Sequence, residues 1–120
     1  MSMKLSHRYE NETCIVTIIG NLALNGADKV QEYLQLLTQQ NTVKKILLNC
    51  MNVSVIDSRG IGLLARILQG LEGKQEGLAL CSLNENCLNL LKALRLDKII
   101  AIHESEEHAL SDLKNISHSN

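Results

Sequence analysis

Four short apolar runs recur along the chain: CIVTIIG from Cys14, KKILLNC from Lys44, GLALCS from Gly77 and KIIAIH from Lys98. None is long enough for an ordinary helix, and none alternates with polar residues as a half-exposed strand would. This is the pattern of strands buried on both faces of a sheet. Two buried faces need two covers, so the stretches between the runs must supply helices. After Gly20, NGADKVQEYLQLLTQQ places Ala27, Val30, Leu34 and Leu37 on one stripe, with Asn25 available as N-cap and Asp28 in the first turn. The next stretch sets Ile61, Leu64, Ala65 and Leu68 on a stripe, and Leu63 and Ile67 form a second one beside it. Ser82 and Glu85 have the spacing of a capping box ahead of Cys87, Leu88, Leu91 and Leu94. Ser105, followed by Glu106 and Glu107, opens a last helix with Ala109, Leu110, Leu113 and Ile116 facing inward.

The N-terminus differs in kind. Met3, Leu5, His7 and Tyr9 alternate with polar residues, and Asn11-Glu12 turns the chain into the first apolar run, which predicts a hairpin with an outer edge strand. The expected order is ββαβαβαβα: an α/β fold with a mixed sheet of about five strands covered by about four helices. No proline, repeat or Gly/Ser-rich linker divides the chain. Residues 1–116 therefore read as one domain and residues 117–120 as a disordered tail.

Composition removes several function classes. With 12 basic and 13 acidic residues scattered along the chain, no basic stripe offers itself to nucleic acid, and two tyrosines as the only large aromatics leave no stacking surface. Neither a signal-peptide core nor a membrane-spanning run is present, so the chain reads as soluble and cytoplasmic. Cys14, Cys50, Cys81 and Cys87 lie in or beside apolar runs without metal-site spacing, and are expected to be reduced core thiols; no metal or cofactor is expected.

The stretch VIDSRGIG, from Val55 to Gly62, carries the chemistry. A nucleophilic serine needs a base and a group to orient it, and the four histidines lie on the edge strand, around the last helix and in the tail, while the G-x-S-x-G elbow is absent. Gly60-x-Gly62 is a fragment of a dinucleotide-binding loop lacking its third glycine. Asp57 or Ser58 can cap the following helix, a preference of about 1 kcal/mol over alanine. Capping leaves two first-turn glycines unexplained, each costing up to about 1 kcal/mol in a helix; they suit a tight turn or the close approach of another backbone or a partner. An exposed serine here suits phosphorylation, because the amides of Arg59, Gly60 and Ile61 and the helix dipole tolerate a negative group.

LLNCMNVSVIDSRGIGLL resembles the central signature of the STAS family, the sulphate transporter and anti-sigma factor antagonist domains, and the likeness to its stand-alone bacterial antagonists extends over nearly the whole chain. The resemblance implies that Ser58 is the phosphoacceptor. It further implies a partner that is both anti-sigma factor and serine kinase, with a histidine-kinase-like ATPase fold, and a PP2C-type phosphatase that removes the phosphate. Unphosphorylated protein would bind the anti-sigma factor and free its sigma factor. Asp57, Arg59, Gly60, Ile61, Gly62 and Leu63, with Asn21 and Asn25 beside them, are the expected partner-binding residues. This chain reads Gly20-Asn21-Leu22-Ala23 where such antagonists carry Gly-Glu-Leu/Ile-Asp, and Arg59 stands where they have a small residue. The alternative is a constitutive STAS subunit, a stressosome-type scaffold or the cytoplasmic subunit of an ABC lipid transporter. The edge strand around Leu5 to Tyr9 offers a homodimer contact.

Overall fold

The computed structural model describes residues 3–40, 43, 45–70 and 77–111. Strand β1 (Lys4–Glu10) and strand β2 (Thr13–Ile19) form the N-terminal hairpin, and helix α1 (Asn25–Gln40) follows. Strand β3 (Lys45–Asn52), helix α2 (Ser58–Gly70), strand β4 (Leu78–Cys81), helix α3 (Glu85–Ala93) and strand β5 (Ala101–His103) continue the alternation. A last helix, α4, opens at 106 and is described to 111. The sheet order is β1-β2-β3-β4-β5, with β1 antiparallel to β2 and the other pairs parallel. The mixed five-stranded sheet and the order ββαβαβαβα are those expected from the sequence.

The pleat sorts the apolar runs onto two faces. Cys14, Val16 and Ile18 of β2, Ile46, Leu48 and Cys50 of β3, and Leu78 and Leu80 of β4 join one core with Ala27, Val30, Leu34 and Leu37 of α1, Leu63 and Leu64 of α2, and Cys87 and Leu91 of α3. Ile15, Leu47, Ala79 and Cys81 point to the opposite face, where Ala109 and Leu110 of α4 cover them. Each fully buried leucine or isoleucine contributes about 1.5–3 kcal/mol relative to exposure, which is why these side chains and not the polar loops fix the register. All four cysteines are free and buried. The other face is also pinned by polar groups: Glu106 accepts from the Arg8 guanidinium and, at 2.8 Å, from the Asn49 amide.

Several local expectations give way to the observed geometry. Asn25 is the first residue of α1 and not the cap before it, because the chain turns at Leu24 in the left-handed region (φ 51°). Ser82 has φ 62°, and the α3 cap is Asn84, whose Oδ1 accepts from the Cys87 N–H at 2.8 Å. The run KIIAIH is a strand only over Ala101–His103, since Leu96–Lys98 forms a 3₁₀ turn after Arg95 enters the left-handed region. Ala65 and Leu94 are exposed, whereas Leu63 is wholly buried in the core. Ser105 does open α4, its hydroxyl accepting from the His108 N–H at 3.1 Å. Leu113, Ile116 and the segment 117–120 lie outside the described residues.

Candidate functional site

The parallel strands β2 and β3 deliver their C-terminal ends side by side, and the segments leaving them run on as a pair. Gly20 N–H bonds Asn52 C=O at 3.2 Å, Leu22 N–H bonds Val55 C=O at 3.1 Å, and Asp57 N–H bonds Leu22 C=O at 3.1 Å, with Leu22 and Ile56 bridged in parallel. Residues 20–24 and 52–57 are thus zipped together ahead of α2. Side chains tighten the seam. The Asn21 Oδ1 accepts from the N–H groups of Ser54 and Val55 at 3.0 and 3.1 Å. From the opposite flank the Asn84 amide donates to Ser54 C=O at 3.0 Å and, at the limit of hydrogen-bond distance, to Val53 C=O at 3.5 Å.

Asp57 joins the seam to the helix. Its Oδ1 accepts from the N–H groups of Arg59 and Gly60 at 2.9 and 3.1 Å, the geometry of an N-cap, and its Oδ2 accepts from Leu24 N–H at 3.1 Å. Burial alone would raise the Asp57 pKa. The N–H groups of Gly60, Leu24 and Arg59 outweigh it and hold the carboxyl below its ordinary value, with the Arg59 charge adding to the effect. Because Asp57 is the cap, Ser58 is the first helical residue, and both it and Arg59 are exposed. The Ile61 N–H bonds Asp57 C=O at 2.9 Å. The three amides expected to receive a phosphate are therefore already engaged by Asp57.

The two glycines have different jobs. A Cβ on Gly60 would stand 2.0 Å from Leu22 C=O, so the close backbone approach that needs glycine is that of this chain's own β2 exit. A Cβ on Gly62 would meet only the Arg66 guanidinium at 3.4 Å. Gly26, which pattern reasoning passed over, repeats the Gly60 arrangement: its Cβ would lie 2.2 Å from Asn21 C=O. The first turns of α1 and α2 both press on the same short segment.

Of the expected partner-binding residues, Asn21, Asn25 and Arg59 are exposed at this end of the sheet with Ser58, the expected phosphoacceptor, and Asp57, Ile61 and Gly62 are half-buried. Gly60 and Leu63 are buried and belong to the packing beneath. Sequence reasoning also missed an apolar group: Leu24 is 65% exposed, and Val55, Ile19 and Met51 are exposed on the same strand exits. Their exposure shows in no periodicity, because each sits at the end of an element. A separate cleft of about 500 Å³ lies between α1 and α2, lined by Gln31, Leu34, Arg66 and Ile67 among others, and Ser58 does not line it. Among the described residues no cluster of histidine, cysteine and carboxylates could hold a metal ion, and no helix is long and apolar enough to cross a membrane.

A mixed sheet of this order, with an acid-capped helix presenting a serine at its first position, defines a STAS domain: the family model matches residues 5–109, and the chain belongs to that family. Among its relatives, it is 26% identical over 117 residues to an anti-sigma F factor antagonist of Paenibacillus polymyxa, covering 98% of this chain and 100% of the relative. It superposes with a TM-score of 0.83 on the crystal structure of an anti-sigma factor antagonist from Mycobacterium paratuberculosis, at 14% identity and covering 94% of this chain and 95% of that one. The Bacillus cell-fate determinant SpoIIAA in its phosphorylated form is similar at a TM-score of 0.69 and 20% identity, covering 93% and 99%. At such identities the structural likenesses establish the fold.

Proposed function

We propose that this chain is a non-enzymatic, cytoplasmic partner-switching protein of the anti-sigma factor antagonist class. Unphosphorylated, it binds an anti-sigma factor that is also a serine kinase with a histidine-kinase-like ATPase fold, and thereby frees the sigma factor. Phosphorylation of Ser58 blocks the binding, and a PP2C-type phosphatase restores it.

One observation carries the reading: Asp57, not Ser58, caps α2, leaving Ser58 an exposed residue with no capping duty at the end of the sheet where Asn21, Leu24, Asn25, Val55 and Arg59 are also exposed. The structure also bears on how the switch works. With the amides of Arg59, Gly60 and Ile61 taken by Asp57, a phosphate on Ser58 does not fold back into the helix N-terminus. Its charge of about −1.5 to −2 stays on display beside the Asp57 carboxylate, where it meets an apolar or acidic partner surface at a cost of several kcal/mol. On this reading the switch acts through the charge that Ser58 displays to the partner.

Asn21 and Ala23, standing where such antagonists carry carboxylates, favour the second reading, a constitutive scaffold or transporter subunit bound to its ATPase without phosphorylation. The experiment is a capture from lysate of the source cells on wild type and Ser58→Asp, with phosphate mapped on the wild type. Retention of a kinase-like ATPase by wild type alone, with phosphate on Ser58, supports the switch. Equal retention by both forms and an unmodified Ser58 would reject it in favour of the constitutive subunit.

A further inference from the structure

We propose that β1 is a self-recognition strand, through which two copies of this chain pair antiparallel about a two-fold axis to make one continuous ten-stranded sheet. The second copy is chosen by the strand's own sequence. β1 is an outer edge of the sheet, seven residues long, with every residue but Leu5 exposed. An edge of that length normally needs blunting by charge or proline. Here the charges are arranged so that they complement a copy of themselves.

The register follows from symmetry. A two-fold axis relating two antiparallel edges runs perpendicular to the sheet, so paired residues must lie on the same face and their numbers must share parity. Three registers keep most of β1 paired, centred on Ser6, His7 or Arg8. Centring on Ser6 sets Lys4 against Arg8, and centring on Arg8 sets that guanidinium against its own copy; like charges directly opposite destabilise a sheet. Centring on His7 pairs all seven residues and puts Lys4 opposite Glu10 twice, with Ser6 opposite Arg8 on the same face. On the other face Leu5 meets Tyr9, and the two His7 rings adjoin across the axis.

The local structure is already set for such a contact. His7 Nδ1 lies 2.5 Å from the Tyr33 hydroxyl, and the His7 ring stands edge-on to both Tyr9 and Tyr33 at centroid distances of 5.6 Å. Both tyrosines of the chain thus flank the His7 ring, Tyr9 from β1 itself and Tyr33 from α1, and Tyr9 remains 44% exposed. Tyrosine supplies contact area at little entropic cost, the usual composition of an interface core. Arg8 is tied to Glu10 at 3.2 Å and to Glu106 of α4, which fixes the charged face. The pairing is small and belongs to the weak, transient class of interfaces.

The test is sedimentation velocity over a concentration series into the high micromolar range, on wild type, Lys4→Glu, Glu10→Lys, the double exchange, and a one-to-one mixture of the two single variants. Reversing two symmetric charge pairs is expected to weaken self-association about tenfold. The double exchange is expected to restore it, and the mixture to dimerise where each component alone is monomeric. A wild type that stays monomeric throughout would overturn the proposal. So would single variants that dimerise as wild type does, because the contact would then lie elsewhere, and so would failure of both the mixture and the double exchange to recover the dimer.

Discussion

Gly60 and Gly62 sit two residues apart in one helix turn, and the structure gives them opposite sensitivities. A methyl group at Gly60 meets Leu22 C=O head-on, so Gly60→Ala is expected to cost about 1–3 kcal/mol in urea unfolding as α2 is pushed off the β2 exit. Gly62→Ala meets only the tip of a flexible arginine and is expected to be neutral or to gain up to about 1 kcal/mol from helix propensity. Leu24 makes the complementary case. A leucine held at φ 51° and 65% exposed carries backbone strain without the reward of burial. Leu24→Gly is expected to raise stability by about 1 kcal/mol and, on the proposed function, to weaken partner binding. A calorimetric titration against the captured ATPase beside a urea melt separates the two effects. On the proposed function, leucine at this position serves docking and not folding.

The element that organises the site is the seam between residues 20–24 and 52–57, and Asp57 is its hinge pin. Its depressed pKa means that the stability it contributes is fully present above the ordinary carboxylate range and is lost as pH falls through the lowered folded value. Glu106, lowered first by the Arg8 guanidinium, behaves in the same direction. In Asp57→Asn the cap oxygen is kept, but an amide NH₂ replaces the oxygen that faces Leu24 N–H. Urea midpoints taken from about pH 6 down to about pH 2 are expected to fall less steeply for this variant than for wild type. An unchanged slope would show that the seam does not depend on the charge. The buried strands and the α1 stripe were legible in the sequence because Ala27, Val30, Leu34 and Leu37 obey one period set by one face. Caps were legible in part: Ser105 opens α4 and Asp57 was one of two candidates for α2, but Ser82 gives way to Asn84 at α3 because Ser82 enters the left-handed region. The tertiary bonds of Asn21 and Asn84 to the Val53–Val55 segment had no sequence signal at all, as each spans more than 29 residues.

At the scale of the whole molecule, the same end of the sheet carries the seam, the exposed apolar residues and Ser58, while β1 lies along a lateral edge whose first residue, Lys4, pairs with Ile19. On the proposals made above, partner docking uses the first and self-pairing the second, and the two adjoin at Lys4 and Ile19. The serine itself was legible from VIDSRGIG, but its release from capping duty became visible only with the two Asp57 bonds to Arg59 and Gly60. On the proposed function, charge on Ser58, and not its hydroxyl, governs partner binding. The most direct measurement is the dissociation constant of the captured ATPase for wild type, Ser58→Ala and Ser58→Asp, by isothermal titration. The expected result is an alanine variant within about twofold of wild type and an aspartate variant weakened toward the hundredfold or greater loss expected of a phosphate. Equal affinities for all three would contradict a phosphorylation switch and leave Ser58 an exposed first-turn residue of a constitutive STAS subunit.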